Sequence, residues 1–339
     1  QVSSRDQFQV SEFFCTRYLN EYLDDRALEP EGTTLAVNSN MGTGKTTYLA
    51  EQLTRHERAW RDVLFVSVRR SLADCMIDSL HLADYRKLNK RYAEFFDSPD
   101  PKRWLVVQME SLGNLGASFR RASRTLPEVD LLVLDEYLSL CKQLQSDTMK
   151  RKHRQCWEVF TSLIRRAKRV VVLDADFVPQ DVPYEFLLAH RPALGFRTLL
   201  NLHLPVPLKR VHIVDYEPWF QRARQATRTK LPLAFVSGSR TELKAVHRTL
   251  EEEAALAEPE EARASCLYSS DAAQEIMSQI PQCNELWQDL DSLGITPSVT
   301  VGVDYTGLAR LVMAIASQLT CDPQTLMQMI GRFRNSTEV

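Results

Sequence analysis

The chain has 339 residues, of which 44% are apolar and 25% charged, with a formal net charge of −2. This is the balance of a globular chain long enough for two domains. It excludes a disordered polyelectrolyte and a uniformly basic nucleic-acid binder, so any grip on nucleic acid has to come from a local patch.

No apolar run is long enough to cross a bilayer, and no signal peptide is expected. The cysteines at 15, 75, 141, 156, 266, 283 and 321 show neither CxxC nor zinc-type spacing, so they read as free thiols of a reducing compartment. The chain starts with Gln1 and stops just after QMIGRFRN, which reads as an excised piece of a longer protein.

Five short runs rich in β-branched residues come first: TTLAV (33–37), VLFVSV (63–68), WLVVQM (104–109), LLVLDE (131–136) and RVVVLDA (169–175). Amphipathic stretches of helical length fall between most of them, among them SLADCMIDSLH (71–81) and RQCWEVFTSLIRRA (154–167). Buried strands alternating with helices imply an α/β domain built on a parallel sheet. The segment YRKLNKRYAEFF (85–96) interleaves basic and aromatic residues. It suits stacking of single strands, or, more simply, an amphipathic helix with its aromatics buried.

Residues 191–208 contain Pro192, Pro205 and Pro207 in a loosely patterned stretch, and the domain boundary is placed there, giving domains 1–203 and 204–339. A second series of strands is expected at RVHIVDY (210–216), LPLAFVSGS (231–239), SCLYSS (265–270) and PSVTVGVDY (297–305), with a helix at RTELKAVHRTLEEEA (240–254). The acidic run 251–262 reads as a solvated helix end and loop.

The first chemistry-bearing motif is NSNMGTGKTTY (38–48), between a strand and a helix. In a phosphate loop, consecutive backbone N–H groups face the phosphates at a helix N-terminus. Ser39, Asn40, Met41, Gly42, Thr43, Gly44, Lys45, Thr46 and Thr47 are the candidate ATP-binding residues. Gly42 and Gly44 allow close backbone approach, Lys45 supplies charge to the β/γ-phosphates, and the Thr46 hydroxyl suits Mg²⁺. Ser39 stands where the usual pattern has Gly, a position that contributes mainly a turn.

LLVLDEYL supplies the second part. Asp135 emerges at a strand's C-terminal end, where open α/β sheets bind ligands, and suits the metal shell. Glu136 suits orienting or deprotonating an attacking water. RVVVLDADF repeats the form with Asp174 and Asp176, candidates for sensing the γ-phosphate and coupling it to the second domain, or for a helix cap. Late in the chain, QMIGRFRN (328–335) reads as helical, with Gln328 and Arg332 on one face and Arg334 close by. Arginines suit charge developing on a transferring phosphoryl group.

In this order the motifs resemble a superfamily 2 helicase core, over roughly residues 33–335. SNMGTGKT is similar to motif I, where Ala or Ser at the first position is common. LDEY looks like motif II, LDAD like motif III, FVSGSR like motif IV, VTVGVD like motif V and QMIGRFR like motif VI. More narrowly, MGTGKTT, SVRRSLA (67–73), VVQMESL (106–112), VLDE, VTVGVDY and QMIGRFR resemble the helicase domain of herpesvirus-type replication origin-binding proteins, with relatives in large DNA viruses and some eukaryotes.

The resemblance implies two tandem RecA-like domains of P-loop NTPase type, with ATP and Mg²⁺ at the cleft between them. It implies a DNA helicase core acting in replication. The catalytic set would be Lys45, Asp135, Glu136, Gln328, Arg332 and Arg334, with Thr46 and Asp135 on the metal and Asp304 of motif V on the nucleotide. It places Ser67, Arg69 and Arg70 (motif Ia), Gln108 and Ser111 (motif Ib), and Ser237 and Ser239 (motif IV) along a phosphate-backbone track. It implies single-stranded or forked DNA, or RNA, as partner, together with other replication proteins and flanking domains, and a nuclear or viral replication compartment. It implies no membrane. The sequence-specific DNA-binding domain that such proteins carry after the core would lie outside this chain.

The motif VI spacing departs from the more common QxxGRxxR, since Arg334 follows Arg332 by two, and leaves open which arginine is the finger. An ATP-switched nucleic-acid binder without unwinding activity is the alternative. A single-site kinase has no use for QMIGRFR.

Overall fold

A computed structural model of the protein describes residues 11–339 apart from 25, 41, 69, 180, 192–194, 205–209, 258–263, 270, 271, 273, 274, 277–279, 300–304, 308–310, 317–320, 322, 337 and 338. The chain divides into two compact units, Gln1–Pro205 and Val206–Val339.

The first unit is an eight-stranded, wholly parallel sheet. Its strands are β1 (Ser11–Phe14), β2 (Thr34–Asn38), β3 (Asp62–Ser67), β4 (Ala83–Asp84), β5 (Arg103–Gln108), β6 (Leu131–Asp135), β7 (Val170–Asp174) and β8 (Phe196–Asn201). They lie in the order β1-β8-β2-β7-β6-β3-β5-β4. Each of the five expected runs forms a strand, displaced by at most a residue at its start.

The helices of this unit are α1 (Lys45–Arg55), α2 (Arg70–Leu80), α3 (Tyr92–Asp97), α4 (Leu112–Arg121), α5 (Tyr137–Leu144), α6 (His153–Arg166) and α7 (Val182–His190). Side chains alternate across a strand. Accordingly Ala36, Leu64, Val107, Leu134 and Val172 enter one core with Leu115 and Phe119 of α4 and Phe160 and Leu163 of α6. The alternate set, including Val37, Phe65, Val133 and Val171, is equally buried. The edge of the sheet where strands begin is clamped by buried Arg191, whose guanidinium donates to Thr34 Oγ1 (2.8 Å) and to the carbonyls of Ile164 (2.9 Å) and Ala167 (2.6 Å).

Three strands were not expected: β1, β4 and β8. β8 lies inside the stretch read as a loose boundary, yet it pairs with both β1 and β2 as an interior strand. Its FRTLLN pattern lacks a continuous apolar run, because Arg197 faces outward to an ion pair with Glu12 of β1 (2.8 Å). The segment 85–96 is a 3₁₀ turn (Tyr85–Leu88) followed by α3, with Tyr85, Tyr92 and Phe96 buried, so its aromatics serve the core.

The second unit has a parallel four-stranded sheet of β9 (Leu233–Ser237), β10 (Ser265–Tyr268), β11 (Ser292–Ile295) and β12 (Leu311–Ile315), in the order β10-β11-β9-β12. Ala234 and Val236 face one core, and Leu233 and Phe235 the other. Its helices are α8 (Tyr216–Arg228), α9 (Arg240–Ala257), α10 (Cys283–Leu286) and α11 (Pro323–Gly331). β11 and β12 were missed.

Three expectations are corrected. RVHIVDY does not join the sheet. Its start pairs instead with the last residue, through His212 N–H to Val339 O (2.8 Å) and Val339 N–H to Arg210 O (2.9 Å), and Ile213 is 95% exposed. Of PSVTVGVDY, Pro297–Val299 is a 3₁₀ turn and Tyr305 forms a bridge to Phe333. Residues 300–304 lie outside the described residues. QMIGRFRN is helical only to Gly331.

Candidate functional site

The sheet order decides which polar residues meet. β2, β7 and β6 are neighbours, and their C-terminal ends carry the phosphate-type loop, Asp174 and Asp135 on one edge. Asn38 pairs with Asp174, and Asp135 with Leu173.

The loop leaves β2 after Asn38 and returns at α1. Gly42 (φ 76°) and Gly44 (φ 75°) are left-handed, a conformation that glycine adopts without steric cost. Gly44 is the residue before the first helical turn, and a Cβ there would also sit 3.4 Å from the Tyr18 ring. Lys45 folds over its own loop, donating from Nζ to the carbonyls of Ser39 (2.7 Å) and Asn40 (3.0 Å). Thr46 is half-buried and Thr47 exposed. Met41 lies outside the described residues.

Ser39 is fully buried and its hydroxyl belongs to a relay. Asn201 Nδ2 donates to Ser39 Oγ (3.0 Å), Ser39 Oγ to Thr43 Oγ1 (2.7 Å), and Thr43 Oγ1 to the Asn40 carbonyl (2.7 Å). The Asn40 side chain donates to His203 O (2.6 Å), and Asn201 also donates to Thr16 O (3.0 Å). The loop is thus tied to the end of β8 and to the segment after β1. Asn201 was not among the residues expected from sequence. Its signal was a polar residue closing a strand, hidden because the strand itself was missed.

Asp135 ends β6, buried, and accepts the Glu136 N–H (3.0 Å). Burial, then repulsion from Glu136, pushes its carboxyl up to about 7, while the Lys45 charge opposes the shift. Glu136 holds a left-handed backbone (φ 54°, ψ 52°). Such a conformation costs a non-glycine residue about 1–3 kcal/mol and persists where the surroundings enforce it. Asp174 is raised to about 6, chiefly by burial. Its two oxygens accept Leu138 N–H (2.8 Å) and Asp176 N–H (2.8 Å), so it joins the start of α5 to the turn after β7. Asp176 is exposed.

Further along the same edge, Ser67 and Gln108 end β3 and β5 opposite each other. Ser67 is buried, Gln108 accepts from the Tyr85 hydroxyl, and Ser111 precedes α4 without capping it by its side chain. Arg69 and the Arg70 side chain lie outside the described residues.

In the second unit, Ser237 Oγ accepts Ser239 N–H (3.0 Å) and Ser239 Oγ accepts Glu242 N–H (3.2 Å) at the start of α9. Both hydroxyls serve as local caps, and each keeps its own O–H to donate. Gln328 and Arg332 are buried and Arg334 is half-buried. α11 ends at Gly331, and Phe333 pairs with Tyr305: Tyr305 N–H donates to Arg332 O (3.0 Å) and Arg334 N–H to Tyr305 O (2.9 Å). Phe333 packs with Trp287 and Tyr305. After Gly331 the chain continues in turns, with Arg332 N–H donating to Met329 O (3.1 Å) and Phe333 N–H to Ile330 O (3.3 Å), so Arg332 and Arg334 flank the buried Phe333. Asp304 lies outside the described residues.

Among the described residues no group of three or more His, Cys, Asp or Glu side chains gathers to hold a metal, and none of the helices is long and apolar enough to cross a membrane. Mg²⁺ asks for less, since it commonly takes one or two carboxylates and completes its shell with water and phosphate. Asp135 and Thr46 fit that role chemically.

This fold, with a glycine loop after β2 and adjacent carboxylates at the end of β6, is RecA-like, and solved helicases share it. Helicase Lhr of Mycobacterium smegmatis, solved bound to ssDNA and AMP-PNP, shares the fold with a TM-score of 0.61 at 15% identity, covering 91% of this chain and 43% of that one. The chain belongs to the origin of replication binding protein family, whose match spans residues 27–198, just over half of its length. The replication origin-binding protein of Human herpesvirus 6A is 32% identical over 166 residues, which are 49% of this chain and 19% of that protein. A protein of Acanthamoeba polyphaga mimivirus is 22% identical over 315 residues, 89% of this chain and 36% of its own length. The chain thus spans a fifth to about a third of these relatives.

Two outcomes follow from the geometry. Asn201→Ala removes the donor to buried Ser39 and should lower stability by about 1–3 kcal/mol, read by urea unfolding. An unchanged midpoint would mean that the relay braces nothing. For the second, Asp135 and Asp174 bind protons more tightly folded than unfolded. Their burial therefore costs stability as pH rises from about 4 to about 7, because the folded state then holds the extra protons. Asp135→Asn should melt higher than the nucleotide-free parent at pH 8, with the gain shrinking toward pH 5. A gain that is constant with pH would contradict the burial of this charge.

Proposed function

We propose that the chain is an ATP-dependent nucleic-acid motor core, a DNA helicase of origin-binding type acting in replication. The observation that carries this reading is the meeting, at one sheet edge, of a glycine loop under Lys45 with buried Asp135 and backbone-strained Glu136. The cradle and Lys45 account for phosphate binding. Glu136 is the added group that a simple nucleotide switch lacks, and its enforced backbone aims it independently of the helix that follows.

On this reading the N–H groups of residues 42–46 bind the phosphates. Lys45 exchanges the carbonyls of Ser39 and Asn40 for phosphate oxygens, so loop and nucleotide compete for one charge. Thr46 and Asp135 would hold Mg²⁺, which neutralises phosphate charge when bound. A cation beside Asp135 also favours its ionised form, offsetting the burial that holds its carboxyl high. Glu136 orients the attacking water and accepts its proton. Gln328, Arg332 and Arg334 act from the second unit on the same nucleotide, and Asp174 links the motif II helix to the turn at Asp176. Ser67, Gln108, Ser111, Ser237 and Ser239, with Arg69 and Arg70, contact the nucleic-acid backbone, so that a nucleotide-driven change between the units becomes movement along the strand. Support for the two-unit motor comes from the second parallel sheet, from QMIGRFR, and from the fold shared with Lhr.

Steady-state hydrolysis with and without single-stranded DNA tests the reading. DNA should stimulate turnover strongly, Lys45→Ala should abolish it, and Arg332→Lys should reduce it by a factor on the order of 10³ or more while nucleotide binding persists. Near-normal turnover in Arg332→Lys would move the finger to Arg334. Hydrolysis indifferent to nucleic acid would overturn the motor, and DNA-stimulated hydrolysis without strand displacement would leave an ATP-switched binder.

A further inference from the structure

An open groove of about 420 Å³ lies in the first unit between the turn after β4 and the start of α4. Asn89, Lys90, Ser111 and Asn114 line it, over a floor that includes Tyr85 and Tyr92. The tyrosines are buried, so the floor offers no free ring face for a base to stack on. The simpler reading of segment 85–96, with its aromatics buried, thus holds over the stacking one, and its polar tips remain.

Three features give this groove a ligand class. Its polar lining is made of donors: an ammonium, a hydroxyl and two carboxamides, with no Asp or Glu among the lining residues. Arg86, which also lines it, is held by Asp84 (2.8 Å) and Asp74. Lys90, by contrast, forms no ion pair among the described residues. Ser111 does not use its hydroxyl to cap α4, and neither Asn114 nor Asn89 makes a side-chain hydrogen bond among them. Finally, Asn89 (φ 47°) and Lys90 (φ 65°) are consecutive non-glycine residues in the left-handed region, held at the rim of the groove. Such backbone strain tends to persist at binding sites.

The groove also has a direction. The Tyr85 hydroxyl bonds to Gln108 at the end of β5, so the turn is tied to the sheet edge that carries Ser67 and Gln108. β5 lies four strands from β2, roughly 19 Å at the usual spacing. Lys90 is therefore no part of the nucleotide cradle.

We infer that this groove holds a backbone phosphate of a single nucleic-acid strand, with Lys90 as its counter-charge and Ser111 and Asn114 as neutral donors. The inference rests on the motor reading and extends the track beyond the helicase motifs, onto a turn that none of them includes. Because the contacts are to phosphate, the site is blind to base sequence.

The test is fluorescence anisotropy of dye-labelled oligothymidylate against salt, for the full chain, Lys90→Gln, and Lys87→Gln as a neighbouring exposed lysine outside the groove. Melting temperatures serve as the fold control. Losing one phosphate contact should flatten the slope of log affinity against log salt by about 0.7 in Lys90→Gln, with Lys87→Gln close to the parent. Asn114→Ala should weaken binding several-fold without changing the slope. If Lys90→Gln matched the parent, or if both lysine variants flattened the slope equally, the groove would be no site, and the motor reading would stand. If the parent bound no strand at all, both would fall.

Discussion

A wholly parallel sheet sends all its strands out through one edge, and that constraint organises the first unit. Strands covered on both faces must be apolar along their length, so polar side chains collect where the strands end. Asn38, Ser67, Gln108, Asp135, Asp174 and Asn201 all close strands. The strand order then sorts them: the loop, Asp174 and Asp135 fall on adjacent strands, and Ser67 and Gln108 on the next pair. The opposite edge, where Arg191 ties strand starts to helix ends, has its own polar set, paired internally: Arg103 with Asp62 and Lys168 with Asp130.

Electrostatics at the site runs against folding. Two carboxylates are buried close together, and their ordinary values are raised by desolvation before any partner acts. The loop meets its own difficulty by internal bonding: Lys45 is satisfied by carbonyls of the loop, and the buried Ser39 hydroxyl by Asn201 and Thr43. A glycine at position 39 would leave Asn201 and Thr43 without that partner. The departure from the usual motif is thus part of a local network and leaves the cradle intact.

The legible parts of the sequence were those written in local terms. LLVLD and VVVLD are continuous apolar runs ending in Asp, and they became β6 and β7 as expected. MGTGKTT could be placed because a glycine loop is a contiguous code. What stayed hidden depended on pairing. FRTLLN owes its interior position to partners on both sides, one of them some 185 residues away in sequence, and LVMAI, as long as LLVLD, is built largely of Leu, Met and Ala, which suit a helix as well as a strand. RVHIVDY shows the reverse error, since its alternation resembles a strand but its partner is the last residue of the chain. The bridge of Phe333 to Tyr305 after Gly331 is a pairing that no helical periodicity encodes. Asn201 was lost with β8, and the Lys90 groove arises only when a turn and a helix start meet in space.

The account stands or falls on whether the two units respond together to nucleotide and nucleic acid. Single-molecule energy transfer between dyes at the exposed positions Lys150 and Glu252 measures this directly. The account predicts one narrowed distance distribution when a non-hydrolysable ATP analogue and single-stranded DNA are both present, and a broader one with either alone. A distribution identical in all four conditions would contradict it.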